Sequence, residues 1–113
     1  MQIVDSSVSL ETLKTMARER FGNLVKAVVD IEREVMALDG ELHSDEEALL
    51  LEHGSLQANL WGINIYPDLD EQDWIEFDSM INIRPSQSNR TRGVDNPAVR
   101  QRIKEVVAGM VTS

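Results

Sequence analysis

Residues 22–38 read GNLVKAVVDIEREVMAL, and the fold turns on whether this stretch prolongs a helix or makes a hairpin. From Val25 the apolar period is two: Val25, Ala27, Val29 and Ile31 point one way, Lys26, Val28 and Asp30 the other. Gly22-Asn23 stops a preceding helix, and the run after it is rich in β-branched residues. Glu32, Arg33 and Glu34 then interrupt the pattern before Val35-Met36-Ala37-Leu38. The stretch therefore predicts two strands turning near Glu32-Arg33, although no Asn-Gly marks the turn. The competing reading is a first helix running unbroken to Leu38.

Working outward on the N-terminal side, Gln2–Val4 reads as a short strand ended by Asp5-Ser6-Ser7. Ser9 reads as an N-cap, with Val8 and Leu13 placed for a hydrophobic staple. Leu10, Leu13, Met16, Ala17 and Phe21 share one face of a helix over about 10–21, and Gly22 supplies a left-handed end. On the C-terminal side, Ser44 to Glu47 spells a capping box opening a helix of about ten residues that ends at His53-Gly54. Leu60–Tyr66 alternates as a strand stopped by Pro67, and Trp74–Arg84 alternates over a longer span, so the two predict an antiparallel hairpin around the acidic loop 68–73. On the second strand Ile75, Phe77, Ser79, Ile81 and Ile83 would face the core, leaving Glu76, Asp78, Met80, Asn82 and Arg84 on the other face. Residues 85–95 read as an exposed loop. Asn96-Pro97 opens a last helix over about 97–110, whose apolar stripe is Val99, Ile103, Val106, Val107 and Met110. The order β-α-β-β-α-β-β-α predicts a single α+β domain over residues 1–113, mainly an antiparallel sheet with helices packed on one face.

Composition fits that reading. The chain has 113 residues, 42% of them apolar, and no cysteine. One ordinary core needs no disulfide or metal at this size, and disorder is not expected. Without a basic start, long apolar run or cleavage motif at the N-terminus, the chain reads as a soluble cytoplasmic protein without a membrane span, and the sequon Asn89-Arg90-Thr91 carries no meaning there. Charge is uneven: residues 1–80 carry 18 acidic and 5 basic side chains, residues 81–113 only 2 and 6, so −13 is followed by +4 in a total of −9. Nucleic acid is disfavoured as a partner, because most of the surface would repel a polyanion.

Two stretches, GELHSDEEALLLEHGSLQANLWGINIYP at 40–67 and IEFDSMINIRPSQSNRTRGV at 75–94, resemble a small uncharacterised bacterial and archaeal family known as a domain of unknown function. The start SLETLK at 9–14 and the basic last helix fit it too. The resemblance implies a prokaryotic, cytosolic, stand-alone domain and brings no activity.

The residues themselves offer three constellations. The first is the arginine loop, with Arg84, Ser86, Ser88, Asn89, Arg90, Thr91, Arg92 and Gly93 leading into the last helix and Arg100 following on it. Guanidinium forks, hydroxyls and free amides at a helix start suit an anionic group, and the competing reading is a loop whose arginines pair with carboxylates of the same or a second chain. The second is the polar strand face Glu76, Asp78, Asn82 and Arg84, with Asn64 and Tyr66 beside it, which is acid–base machinery if buried and a wet sheet face if not. The third is Glu41, His43, Asp45 and Glu46, a weak candidate for a base or a divalent metal, whose last two carboxylates are equally explained by a helix start. Asp68, Asp70 and Asp73 lack the glycine and the glutamate of a calcium loop, so neither metal nor cofactor is expected. The resulting expectation is a small binding module that recognises an anionic small molecule or an acidic protein surface through Arg84, Ser86, Asn89, Arg90, Arg92 and Arg100. The alternative is a structural or regulatory homo-oligomer without a small ligand, and the third reading is a small enzyme using His43 or the strand-face carboxylates.

Overall fold

The computed structural model describes residues 1–113. Helix α1 (Leu10–Arg20) starts where Ser9 accepts a hydrogen bond from the Thr12 amide, and it ends before Gly22, whose φ of +97° only glycine adopts without strain. Strands β3 (Val25–Asp30) and β4 (Val35–Leu38) form the expected hairpin. Its turn is held by a side chain in place of an Asn-Gly pair. The buried Asp30 carboxylate accepts hydrogen bonds from the amides of Glu32 and Arg33, both at 2.9 Å, and from the Ser55 hydroxyl at 2.6 Å.

Five strands make an antiparallel sheet in the order β1 (Gln2–Val4), β4, β3, β5 (Leu60–Ile65) and β6 (Ile75–Glu76). Two strands absent from the sequence reading, β2 (Val8–Ser9) and β7 (Val111–Thr112), pair in parallel and tie the chain end to the start of α1. Alternation along β3 splits the interior. Val25, Ala27 and Val29 join the larger core with Leu13, Met16 and Ala17 of α1 and Ile103, Val106 and Val107 of α3 (Pro97–Met110). Val28 faces the other way, onto Ala37, Leu60 and Leu50 of α2 (His43–Glu52). The single α+β domain has the expected element order, and one-sided helix cover holds for α1 and α3 while α2 shields part of the opposite face. No helix is long and apolar enough to cross a membrane.

Two local expectations are corrected. The capping box at Ser44 is not used: α2 starts at His43, Leu42 stands at the cap position without a side-chain hydrogen bond, and Glu46 rather than Glu47 folds back, onto the Gly40 amide at 3.0 Å. The buried His43 ring reaches the Ile63 carbonyl of β5, which draws the helix start two residues earlier than the capping pattern indicates.

The long strand Trp74–Arg84 is also corrected, since β6 ends at Glu76 and a 3-10 turn occupies Met80–Asn82. Beyond Glu76 side chains replace the backbone ladder on the edge of β5. The Asn82 amide accepts from Gly62 N at 2.8 Å and donates to Gly62 O at 2.9 Å, the same donor and acceptor pair that a neighbouring peptide would offer. Ser79 packs so closely that a Cβ on Gly62 would lie 2.6 Å from it, so glycine is required there. The expected alternation accordingly reverses: Asn82 and Arg84 are buried and Ile83 is exposed.

Candidate functional site

The arginine loop is folded onto itself. Arg84 stacks 4.2 Å above the Trp61 ring and donates to the carbonyls of Gln57 and Leu60 and to the Gln87 amide oxygen at 3.2 Å. Burial lowers its pKa, partly offset by the Glu47 carboxylate. Asn89 is buried and donates to the carbonyls of Asn82 and Gly93 while its oxygen accepts from the Asp95 amide at 2.8 Å. The Asp95 carboxylate sits where an external anion was expected, accepting from the Arg90 amide at 3.1 Å and the Thr91 hydroxyl at 2.7 Å. The start of α3 is closed by Asn96, which accepts from Ala98 N. Arg100 donates to the Val94 carbonyl at 2.6 Å, Ser86 lies exposed in the turn Pro85–Gln87, and the exposed Arg90 guanidinium has no partner. The six expected ligand residues therefore do not converge. Arg84 and Asn89 act as framework; Asn89 lines a cavity of about 600 Å³ at the start of α3 that holds none of the four arginines, and Arg92 reaches a different cleft.

That cleft, of about 330 Å³, opens between the start of α2, the exposed side of β3 and β5, and residues 78–81 with Arg92. Topology places each wall. Lys26 and Asn64 stand directly opposite each other across the β3–β5 ladder, on the face that α2 leaves uncovered at its first turn. Leu42, His43 and Ser44 contribute the helix start, whose first amides lack a side-chain cap and carry the positive end of the helix dipole. Arg92 enters from the loop, paired at 2.6 Å with Asp78, while Lys26 has no carboxylate partner and lies 5.1 Å from the Phe21 ring centre.

Two other candidate sets resolve differently. The Asn64 amide donates to Glu76 Oε1 at 2.8 Å, which also accepts from the Tyr66 hydroxyl at 3.0 Å, so half of the polar strand face does assemble at one wall. Burial and the neighbouring Glu76 push the Tyr66 phenol up, so it stays protonated and donates. Asn82 and Arg84, by contrast, turn away to serve β5. Glu41 and His43 separate: Glu41 pairs with Arg20 at 3.3 Å, whereas His43 is buried beneath the cleft. No three acidic or histidine side chains are grouped to hold a metal ion.

A family model described as a protein of unknown function matches residues 2–110. The chain belongs to this family, DUF5674. No curated protein and no solved structure matches the chain. With no activity attached to DUF5674, the assignment of a site rests on geometry. Within this DUF5674 chain the stretches 40–67 and 75–94 meet at the cleft, the first supplying Leu42, His43, Ser44 and Asn64 and the second Asp78, Ser79, Met80, Ile81 and Arg92. Lys26 is the one lining residue outside both, and the sequence reading missed it as a site residue. Its signal was present: it is the only basic residue in a central strand that is apolar elsewhere up to its terminal Asp30, and it lies on the face opposite the main core.

Proposed function

We propose that this chain is a small binding module that holds an anionic group in the cleft formed by Lys26, the start of α2, Asn64 and Arg92. The observation that carries the reading is Lys26: a half-buried ammonium without a carboxylate partner, beside uncapped helix amides, in a protein of net charge −9. An anion there would meet a point charge, a guanidinium and free N–H groups together, the combination that charge-assisted hydrogen bonding requires. This keeps the expected anionic ligand and moves its place from the arginine loop to the cleft.

The test is a thermal-shift titration with inorganic phosphate and small carboxylates. A ligand at about 100 times its Kd raises stability by roughly 2.7 kcal/mol. Lys26→Met should weaken binding about tenfold or more, the scale of one charge-assisted contact. Arg92→Ala should weaken it less, because Asp78 already shares that guanidinium, and Arg90→Ala should leave it unchanged. Dependence on Arg90 with indifference to Lys26 would return the site to the loop.

A second reading, association between copies, is favoured by one observation. Leu42, Leu51, Leu56, Met80 and Ile83 are all exposed and come from α2, the turn after it and the 80–83 segment packed beside it. Light scattering at high protein concentration should show a dimer that survives added salt; a monomer under those conditions removes this reading.

A further inference from the structure

Two hydrogen-bond acceptors of residues lining the cleft, Asn64 Oδ1 and His43 Nδ1, lack a donor while His43 is neutral. Asn64 is only 8% exposed, and its Nδ2 is engaged by Glu76 Oε1 at 2.8 Å and by the Asp78 carbonyl at 3.4 Å. Both of those partners can only accept, so the sense of the amide is fixed. Its Oδ1 is buried and takes no hydrogen bond. His43 is fixed in the same way: one ring nitrogen, Nε2, lies 2.8 Å from the Ile63 carbonyl, which must receive a proton, so Nε2 carries it and Nδ1 presents its lone pair. Burial of the ring lowers its pKa, which keeps it neutral near pH 7; Lys26 acts in the same direction, while the Ile63 carbonyl, Asp78 and the hydrogen bond that a protonated ring would make to the Asn64 side chain act against it.

Two acceptors beside one another in a buried wall call for a donor, since an unmade hydrogen bond there is costly. The two cations of the lining, Lys26 and Arg92, face a single carboxylate, Asp78, which pairs with Arg92, so Lys26 calls for an anion. A bare oxyanion satisfies only the second demand, and an ammonium adds positive charge next to Lys26. A neutral hydroxyl beside a carboxylate satisfies both.

Building on the anion-binding reading above, we propose that the cleft is a site for a small α-hydroxy carboxylate, its carboxylate toward Lys26, Arg92 and the start of α2 and its hydroxyl donating to Asn64 Oδ1 or His43 Nδ1. Ser44, which also lines the cleft, lies on the carboxylate side, at the second position of the helix.

The experiment is calorimetric titration of the full chain at pH 7.5 with lactate, propionate, alanine and inorganic phosphate. Lactate and propionate differ by the hydroxyl alone, so the wild-type comparison needs no variant. Lactate is expected to bind at least tenfold more tightly than propionate, with alanine weaker than lactate. In Asn64→Ala the lactate advantage should shrink below threefold while propionate affinity is retained. Lys26→Met should weaken both acids. Equal binding of lactate and propionate would overturn the hydroxy-acid assignment and leave the anion cleft standing, as would phosphate binding without lactate binding. Alanine binding as tightly as lactate would overturn the choice of a neutral donor. No binding of any of the four would overturn this assignment and the anion reading together.

Discussion

Asn82→Ala is expected to destabilise the protein by about 4 kcal/mol, the largest effect of any single side-chain truncation outside the apolar core. Asn82 is fully buried, and its amide serves three backbone groups: Gly62 N at 2.8 Å, Gly62 O at 2.9 Å and Arg92 O at 2.9 Å. Alanine leaves Gly62 N and Gly62 O without partners in a closed space, at about 1–3 kcal/mol for each buried group left unsatisfied, while Arg92 O keeps the Ser79 amide at 2.9 Å. The loss also propagates, because the Asn82 carbonyl accepts from Asn89, the hub of the loop that carries Arg92. Asn82→Asp is the informative companion. It keeps the acceptor for Gly62 N but sets a carboxylate oxygen against two carbonyls, so it should be as damaging as alanine near pH 7 and recover in part when acid protonates it. Urea unfolding followed by circular dichroism measures both variants. A loss below about 1 kcal/mol in Asn82→Ala would mean that the edge of β5 is held by something other than this amide.

Glu46→Gln is expected to abolish a pH dependence of stability. The Glu46 carboxyl is fully buried, with one oxygen accepting from Gly40 N at 3.0 Å and the other unpartnered. Burial pushes its pKa up from 4.5 to about 8, with Asp39 pushing the same way and the Gly40 N–H and Lys26 pulling back. Between about pH 4.5 and 8 the folded chain keeps a proton that the unfolded chain has released. Stability must therefore fall as pH rises through that window, by an amount on the order of 5 kcal/mol in total. Glutamine keeps an acceptor for Gly40 N and cannot ionise, so the variant should match the wild type near pH 4.5 and exceed it by that amount at pH 8. His43 works in the opposite sense, since a lowered pKa removes stability as pH falls below about 6.5. The difference between variant and wild type, rather than either curve alone, isolates Glu46. Parallel curves from pH 5 to 8 would show that the buried carboxyl does not hold its proton.

What was legible in the sequence follows from range. The spans of α1 and α3, the hairpin at Asp30–Val35, the Ser9 and Asn96 caps and the stripe of α3 are local patterns, and each appears where periodicity and turn chemistry place it. The misplaced elements are those where a distant side chain outbids a local preference. His43 binds a carbonyl twenty residues away and moves the start of α2; Asn82 and Arg84 serve β5 and end the strand that alternation extends to residue 84. The internal bonding of the arginine loop is illegible for the same reason, because neither the burial of Arg84 against Trp61 nor the capture of loop donors by Asp95 leaves a mark in local composition. The cleft itself joins residues 26, 42–44, 64, 78–81 and 92, and only the register Lys26 opposite Asn64 brings them together. An asparagine and a lysine in neighbouring apolar strands were the available clue.

The most direct test of the anion cleft is a two-dimensional amide NMR titration of the ¹⁵N-labelled chain with lactate and with inorganic phosphate. The account predicts shifts concentrated at Lys26, His43, Ser44, Asn64 and Arg92, with Arg90, Thr91, Asp95 and Ala98 unmoved. Shifts centred on Arg90 to Ala98, or none at any concentration reached, would contradict it.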